Sequence, residues 1–309
     1  MAKKVVLPGG SGFLGQSLAN YLIEKGYEVV VLTRRTATSS NHIKYVQWDG
    51  KTINSWTLEL EGCEAIVNLT GKSVNCIYTP RNKAEIISSR VDSVRVLKQA
   101  IRACKNPPKA FIQAGSLAIF GDTTAVCNEE SVHGTGFSVQ VCQRWEEEFF
   151  THPLPETRQA VLRIGFALAK NGGALQPLEK LARLNLGGTI GSGKQYISWI
   201  HIEDLNQMFL TAIENSQITG AYNATGPRPV TNQVFMKALR TALGKGWAAP
   251  APSPLVWLGA YVVMRADPGL ALTGRNCIPA KFTKSGFVFK YVDLETTLKE
   301  IYAGWFSTN

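Results

Sequence analysis

The feature that most constrains this chain is Gly9-Gly10-Ser11-Gly12-Phe13-Leu14-Gly15, set directly behind the apolar run Val5-Val6-Leu7. Leu14, Leu18, Tyr21 and Leu22 follow at helical spacing, so the glycines sit between a first strand and a first helix. One glycine permits a tight turn, the next lets the backbone approach a pyrophosphate, and the third lets helix and strand pack closely. The helix start adds free N–H groups and a partial positive charge. Alone, such a pattern carries little. In this position it points to a bound dinucleotide, with a ligand-free glycine turn as the alternative.

The rest of the first half repeats the strand–helix rhythm. Gly26 ends the first helix, and Val29-Val30-Val31-Leu32 is an unbroken apolar run of the kind buried on both faces of a sheet. Tyr45-Val46-Gln47-Trp48, Ala65-Ile66-Val67-Asn68-Leu69, Ala110-Phe111-Ile112-Gln113-Ala114 and Ala160-Val161-Leu162-Arg163-Ile164 are further strands. A long helix over about 83–103 turns Ile87, Val91, Val94, Leu97 and Ile101 inward. The expected fold is α/β, a Rossmann-type doubly wound parallel sheet with a smaller C-terminal lobe. After Gly165 the texture changes: Gly172-Gly173, Gly187-Gly188 and Gly191-Ser192-Gly193 mark loops, and Pro250, Pro252 and Pro254 a connector. Residues 1–165 are expected to bind the nucleotide and 166–309 to form the lobe that takes the substrate, some segments returning to the sheet. The ligand cleft is expected between them.

The second strand selects the dinucleotide. NAD sites carry an acid about 20 residues past the glycines to accept from the ribose 2′-OH. Here the strand ends in Thr33-Arg34-Arg35 with no acid nearby. A guanidinium attracts a 2′-phosphate, so NADP(H) is the expected cofactor, two solvated arginines being the alternative.

Charge and composition exclude other classes. The formal net charge is +10, but the basic residues are scattered and form no block of five or more, so no nucleic-acid partner is expected. The 6 cysteines lie far apart and the 4 histidines form no ligand set, which fits reduced thiols and no metal site. Val5-Val6-Leu7 is too short for a signal peptide, and the longest apolar stretch, 255–264, is about half a membrane span. A soluble, cytoplasmic protein without membrane attachment is expected.

The chain resembles the extended short-chain dehydrogenase/reductase superfamily in its epimerase/dehydratase branch. The resemblance rests on Gly9-x-x-Gly12-x-x-Gly15 (with Pro8 where threonine is more usual), Asn68-Leu69-Thr70-Gly71 and Gly115-Ser116-Leu117-Ala118-Ile119-Phe120-Gly121. It is more similar still to the atypical "epimerase family" subgroup of sugar-nucleotide-epimerase-like proteins. That likeness runs through Glu85-x-x-x-Ser89-Arg90, Trp145-Glu146, Gly187-Gly188-x-x-Gly191-Ser192-Gly193 and Trp199-Ile200-His201-Ile202-x-Asp204-Leu205. It ends in Ile278-Pro279-Ala280-Lys281-Phe282 and Gly286-Phe287-x-Phe289, like the subgroup's small C-terminal domain. The resemblance implies NADP(H) contacts from Thr33-Arg34, Leu69-Thr70, Glu85, Arg90 and backbone near Ala167. Gly71 and Arg35 adjoin these contacts. Dimerisation through the 83–103 helix is expected on the same analogy.

Superfamily chemistry joins a serine, a proton-transferring tyrosine and a lysine that lowers the tyrosine pKa. Ser116 falls at the serine position and is the candidate catalytic residue. With Glu146 aligned to the glutamate that often follows the pair, Ser138 and Cys142 stand at the tyrosine and lysine positions. No Tyr-x-x-x-Lys occurs between residues 116 and 165. A serine hydroxyl and a neutral thiol cannot replace a phenol and an ammonium. Two functions follow: an epimerase or oxidoreductase acting on a small, sugar-nucleotide-like substrate without the usual pair, or a non-catalytic NADP(H) sensor that controls a partner. An open pocket beside the nicotinamide with a proton donor in reach would mark the first, and side chains around Ile119-Phe120 and Gly165-Phe166 filling that volume would mark the second.

Other residues have plainer expectations. Cys142 reads as a buried, inert thiol. His201 and Asp204 read as a polar pair capping the helix after Trp199. Glu146-Glu147-Glu148 reads as a solvated face, and Trp145 and Trp199 as core or cleft wall.

Overall fold

The computed structural model describes residues 3–35, 42–170, 172–254 and 267–303. The first half runs β1 (Lys4–Pro8), α1 (Phe13–Glu24), β2 (Glu28–Thr33), β3 (Ile43–Gln47), β4 (Ala65–Asn68), α2 (Pro80–Ala103), β5 (Ala110–Ser116), β6 (Thr123–Cys127), α3 (Phe137–Phe150) and β7 (Arg158–Ile164). It continues through β8 (Phe166–Leu168), α4 (Leu175–Arg183), β9 (Tyr196–Ile197), β10 (Trp199–His201), α5 (Ile202–Glu214), β11 (Gly220–Ala224), β12 (Val230–Thr231) and α6 (Asn232–Ala242). Strand β13 (Arg275–Cys277) lies between the short helices Gly269–Leu272 and Ala280–Lys284, and a terminal helix spans Leu294–Tyr302.

Seven strands form one sheet in the order β11-β7-β5-β4-β1-β2-β3, every neighbouring pair parallel. The doubly wound fold expected from the strand–helix rhythm is the fold observed. Alternation along each strand divides its side chains between two cores. Val5, Leu7, Val29, Val31 and Val67 pack with Leu18 and Leu22 of α1 and Met208 and Phe209 of α5. Val6, Val30, Leu32, Ile66 and Phe111 pack on the other face with Val94, Leu97 and Ile101 of α2 and Trp145 and Phe149 of α3.

Helix α2 begins earlier than its apolar pattern suggests. Thr79 caps it by accepting from Asn82 N, and Pro80 fills the first turn, where a missing N–H does no harm. Its buried stripe starts at Ile86 rather than Ile87, which, like Val91, is half-buried.

Beyond β7 a third apolar cluster joins α4, α6 and the terminal helix through Leu175, Phe235, Leu239, Leu294 and Leu298. The segment around Pro250 is held by pairing: Ala251 N donates to Thr189 O at 2.9 Å, and Gly191 N donates to Ala251 O at 2.9 Å. Strand β11 returns to the edge of the large sheet beside β7. Among the described residues no helix is long and apolar enough to cross a membrane. The apolar stretch 255–264 lies outside the described residues. Among the described residues no three metal-ligating side chains converge.

Candidate functional site

The strand order reverses between β1 and β4, and this opens a crevice at their C-terminal ends. Two loops meet there. Gly9, at φ 74°, follows β1 and lies so close to the loop after β4 that a Cβ would stand 2.8 Å from Thr70 N and Cα. Its N–H donates to Leu32 O at 2.8 Å, and Leu69 N donates to Pro8 O at 2.8 Å, so both loops are fixed to the strand ends. Gly15 packs on Gly10, where a Cβ would fall 2.4 Å from backbone. Gly12 differs: a Cβ there would meet nothing within 4 Å.

Gly12 starts α1 with no side-chain cap and no acid in the first turn. The first N–H groups of Phe13, Leu14 and Gly15 therefore open on a site of positive potential. Ser11 and Gly12 are exposed. Gly172 and Gly173 cross the Phe13 ring so tightly that a Cβ on either would overlap it, at 2.3 and 2.7 Å.

At the end of β2, buried Thr33 donates from Oγ1 to Ser11 Oγ at 3.3 Å and accepts from Arg35 N at 3.4 Å. This joins the second strand to the glycine loop and leaves Arg34 and Arg35 exposed beside it. Asn68 shapes the opposite loop: its Oδ1 accepts from Thr70 N at 3.1 Å, and its Nδ2 donates to Gln113 Oε1 at 2.9 Å. Thr70 Oγ1 is buried without a hydrogen-bond partner. An orphaned hydroxyl at the meeting of the two loops fits a polar ligand there.

Arg90 of α2 backs this loop. A Cβ on Gly71 would stand 2.9 Å from its guanidinium carbon, so that position admits only glycine without displacement. Arg90 Nη1 donates to Lys72 O and Ile86 O, both at 3.0 Å, and the guanidinium lies 5.0 Å from the Trp145 ring centre. Burial pulls its pKa down. Glu85 pairs with Lys72, and Arg81 Nε donates to it at 2.9 Å; these hydrogen bonds hold its carboxyl down to about 2. Lys72, which ties Glu85 to the crevice loop, carries no motif and is not visible in sequence.

Ser116 ends β5 beside Ile164, its Oγ accepting from Ala118 N at 3.2 Å. Ala167 is buried in β8, paired with Ile200 of β10. The candidate residues from Gly9 to Gly15, Thr33 to Arg35 and Leu69 to Gly71 thus gather around one crevice with Arg90. Ser116 and Ala167 lie on the strands to its β5–β7 side.

Helix α3 carries Ser138 and Cys142. Cys142 is buried, as expected, with Leu117, Ile119, Phe120, Cys127 and Cys277, and burial pushes its thiol up to about 12. Ile119 and Phe120 are committed to this cluster. The solvated reading of Glu146-Glu147-Glu148 is corrected at its first member. Glu146 is buried and makes a two-pronged ion pair with buried Arg163, at 2.9 Å from Nε and 2.8 Å from Nη2. Glu147 is exposed, as expected. His201 caps α5, its Nδ1 accepting from Glu203 N at 3.3 Å. Asp204 instead accepts from Lys290 N and Tyr291 N, both at 3.0 Å, and pins the approach to the terminal helix. Trp199 is core, its indole N–H donating to Arg228 O at 2.8 Å.

Comparison with known proteins identifies the lineage. The NAD dependent epimerase/dehydratase family profile matches residues 5–138, and a C-terminal domain of unknown function, DUF1731, matches residues 252–301. The epimerase family protein YfhF of Bacillus subtilis is 32% identical over 97% of this chain and 98% of its own length. The crystal structure of human epimerase family protein SDR39U1 with NADPH superposes with a TM-score of 0.87 at 30% identity, covering 97% of this chain and 99% of that one. A nucleoside-diphosphate sugar epimerase from Corynebacterium glutamicum superposes at 0.78 with 26% identity, over 99% of this chain and 60% of that one. With its epimerase/dehydratase domain, its DUF1731 segment and full-length relatives on both measures, the chain belongs to the epimerase family of NAD dependent epimerase/dehydratase proteins.

Proposed function

We propose that this chain binds NADP(H) in the crevice between β1 and β4 and acts there as an epimerase- or oxidoreductase-like protein on a small, sugar-nucleotide-like substrate. The observation that carries the reading is the close meeting of Gly9 with Thr70 in front of an uncapped helix start, with an orphaned hydroxyl between them. The human relative crystallised with NADPH supports the choice of cofactor.

In this reading Gly9, Ser11 and Gly12 and the N–H groups of Phe13, Leu14 and Gly15 hold the pyrophosphate. Thr33, Arg34 and Arg35 hold the 2′-phosphate through charge-assisted hydrogen bonds. Leu69, Thr70 and Gly71 form the opposite wall with Arg90 behind them. Glu85 joins them through Lys72, and Ala167 offers backbone beyond β7. The cofactor, when bound, supplies hydride chemistry. Ser116, at the end of β5, orients a substrate oxygen in this reading.

Calorimetry with NADPH and NADH, on wild type and Arg34→Ala, tests the reading. NADPH is expected to bind more tightly, and the variant to lose about 1.5–3 kcal/mol of that preference. No binding of either nucleotide overturns the proposal. A second reading, an NADP(H) sensor without turnover, is favoured by Cys142, whose sealed thiol cannot serve as the missing lysine. NADPH consumption with small carbonyl compounds, together with epimer formation from nucleotide sugars in the presence of NADP+ followed by NMR, separates the two.

A further inference from the structure

Lys72, the second residue after Thr70, is bonded to helix α2 by its backbone and its side chain alike. Its N–H donates to Ser89 Oγ at 2.9 Å, and its carbonyl accepts from Arg90 Nη1 at 3.0 Å. Its ammonium pairs with Glu85 and donates to Asn82 Oδ1 at 2.8 Å. Asn82, Glu85 and Ser89 are spaced i, i+3 and i+7, so they share one face of the helix. That whole face engages a single loop residue. Asn82 extends the hold, because its Nδ2 donates to Ile77 O at 2.7 Å and so grips the same loop again before α2 begins.

The loop held in this way is a wall of the crevice. Thr70 lies where a Cβ on Gly9 would stand, and Gly71 lies against the Arg90 guanidinium. Only Gly71 separates Lys72 from Thr70, so a shift of Lys72 against α2 passes directly to the backbone that faces the glycine loop. Both oxygens of Glu85 are engaged, Oε2 by Lys72 and Oε1 by Arg81 Nε at 2.9 Å. The two cations differ in what they join. Arg81 belongs to α2 itself, and its side chain is 88% exposed. Lys72 belongs to the loop, and its side chain is 29% exposed. Its pairing with Glu85 therefore fixes the loop to the helix, which the Arg81 pairing does not.

We propose that Lys72 is a positioning residue for the nucleotide: through Glu85 it sets the wall formed by Leu69, Thr70 and Gly71 at the separation from the glycine loop that the bound cofactor requires. This rests on the NADP(H) reading above.

The test measures NADPH affinity by calorimetry on the full-length protein, each variant being titrated well below its own melting temperature. Lys72→Met keeps an unbranched stem and removes the ammonium, Glu85→Gln removes its charged partner, and Arg81→Ala removes the cation that does not touch the loop. Lys72→Met and Glu85→Gln are each expected to weaken NADPH about tenfold, and the double variant no further, because residues that act through one contact are not additive. Arg81→Ala is expected to bind as wild type does. A lower melting temperature with unchanged affinity in Lys72→Met would reduce Lys72 to a staple of the loop and overturn the proposal. Losses that add in the double variant would overturn it as well. So would weak binding by Lys72→Met beside full binding by Glu85→Gln, since the lysine would then touch the nucleotide itself. Equal weakening by Arg81→Ala would leave only a general charge effect. If the wild type binds no NADPH, the cofactor reading fails first and this one with it.

Discussion

The backbone of Thr70 occupies the space in which a side chain on Gly9 would begin: its N and Cα lie 2.8 Å from an ideal Cβ at position 9. Gly9 also holds φ at 74°. Gly9→Ala is therefore expected to destabilise the protein by about 1–2 kcal/mol from the left-handed backbone alone, with the collision added. Gly12→Ala is the control. It meets open space at ordinary φ, so its effect on stability is expected to be about 1 kcal/mol or less. Thermal melts should rank the two in that order. NADPH titration should find both weakened, Gly12→Ala by about tenfold or 1.4 kcal/mol, because its methyl occupies the phosphate approach. A Gly12→Ala protein with full NADPH affinity would remove the glycine loop from the binding site.

Arg163 and Glu146 are expected to behave as a structural pair. Their side chains are 5% and 11% exposed, and the contact joins α3 to β7. Removing one partner leaves the other charge buried, which costs about 3–5 kcal/mol. Glu146→Ala should therefore lower the urea midpoint sharply, and added salt should not reproduce the loss, because a buried pair is weakly screened. Lys290→Ala makes the comparison. Its ion pair with Glu203 has side chains 61% and 49% exposed, so its removal is expected to change stability by about 0–1 kcal/mol. Equal losses in the two variants would contradict this account.

The large sheet was legible because its signals are local. Val29-Val30-Val31-Leu32 between Gly26 and Thr33 is a buried parallel strand on composition alone, and β2 occupies that run. The glycine loop was legible for the same reason, its residues and its helix being contiguous. What sequence could not show were contacts made by distant segments. Glu146 looked like one of three solvated acids because Arg163, its partner, is 17 residues away on another element. Asp204 looked like a cap, yet its hydrogen bonds go to backbone at 290 and 291.

Cysteine labelling reads the same burial from outside. Burial pushes the thiols of Cys63, Cys142 and Cys277 up to about 12, and all three are buried. Cys76 is half-buried, in the segment that precedes α2. A disulfide reagent at pH 8 is expected to modify Cys76 first and to reach Cys63, Cys142 and Cys277 only at the rate of unfolding. Peptide mapping after brief exposure checks the order. Early modification of Cys142 in folded protein would overturn its assignment as inert.

The pH dependence of stability should carry the mark of His201. Its Nδ1 accepts from Glu203 N at the start of α5, so only a ring without a proton on that nitrogen can cap. Burial lowers its pKa in the folded protein, Lys290 helping and Glu203 and Glu300 opposing. The unfolded chain therefore takes up a proton first, near pH 6.5. The sign follows from proton linkage: stability is complete above that pH and is lost as the pH falls through the unfolded value towards the lower folded one. His133, held down by burial and by Arg163, acts in the same direction. His201→Asn keeps a capping oxygen without a titrating proton. Urea unfolding of wild type from pH 7.5 to 5 is expected to show falling stability, and His201→Asn a shallower fall with the His133 share remaining. Identical slopes would mean that His201 takes up its proton at the same pH in the folded and the unfolded chain, so that its cap does not hold the ring neutral.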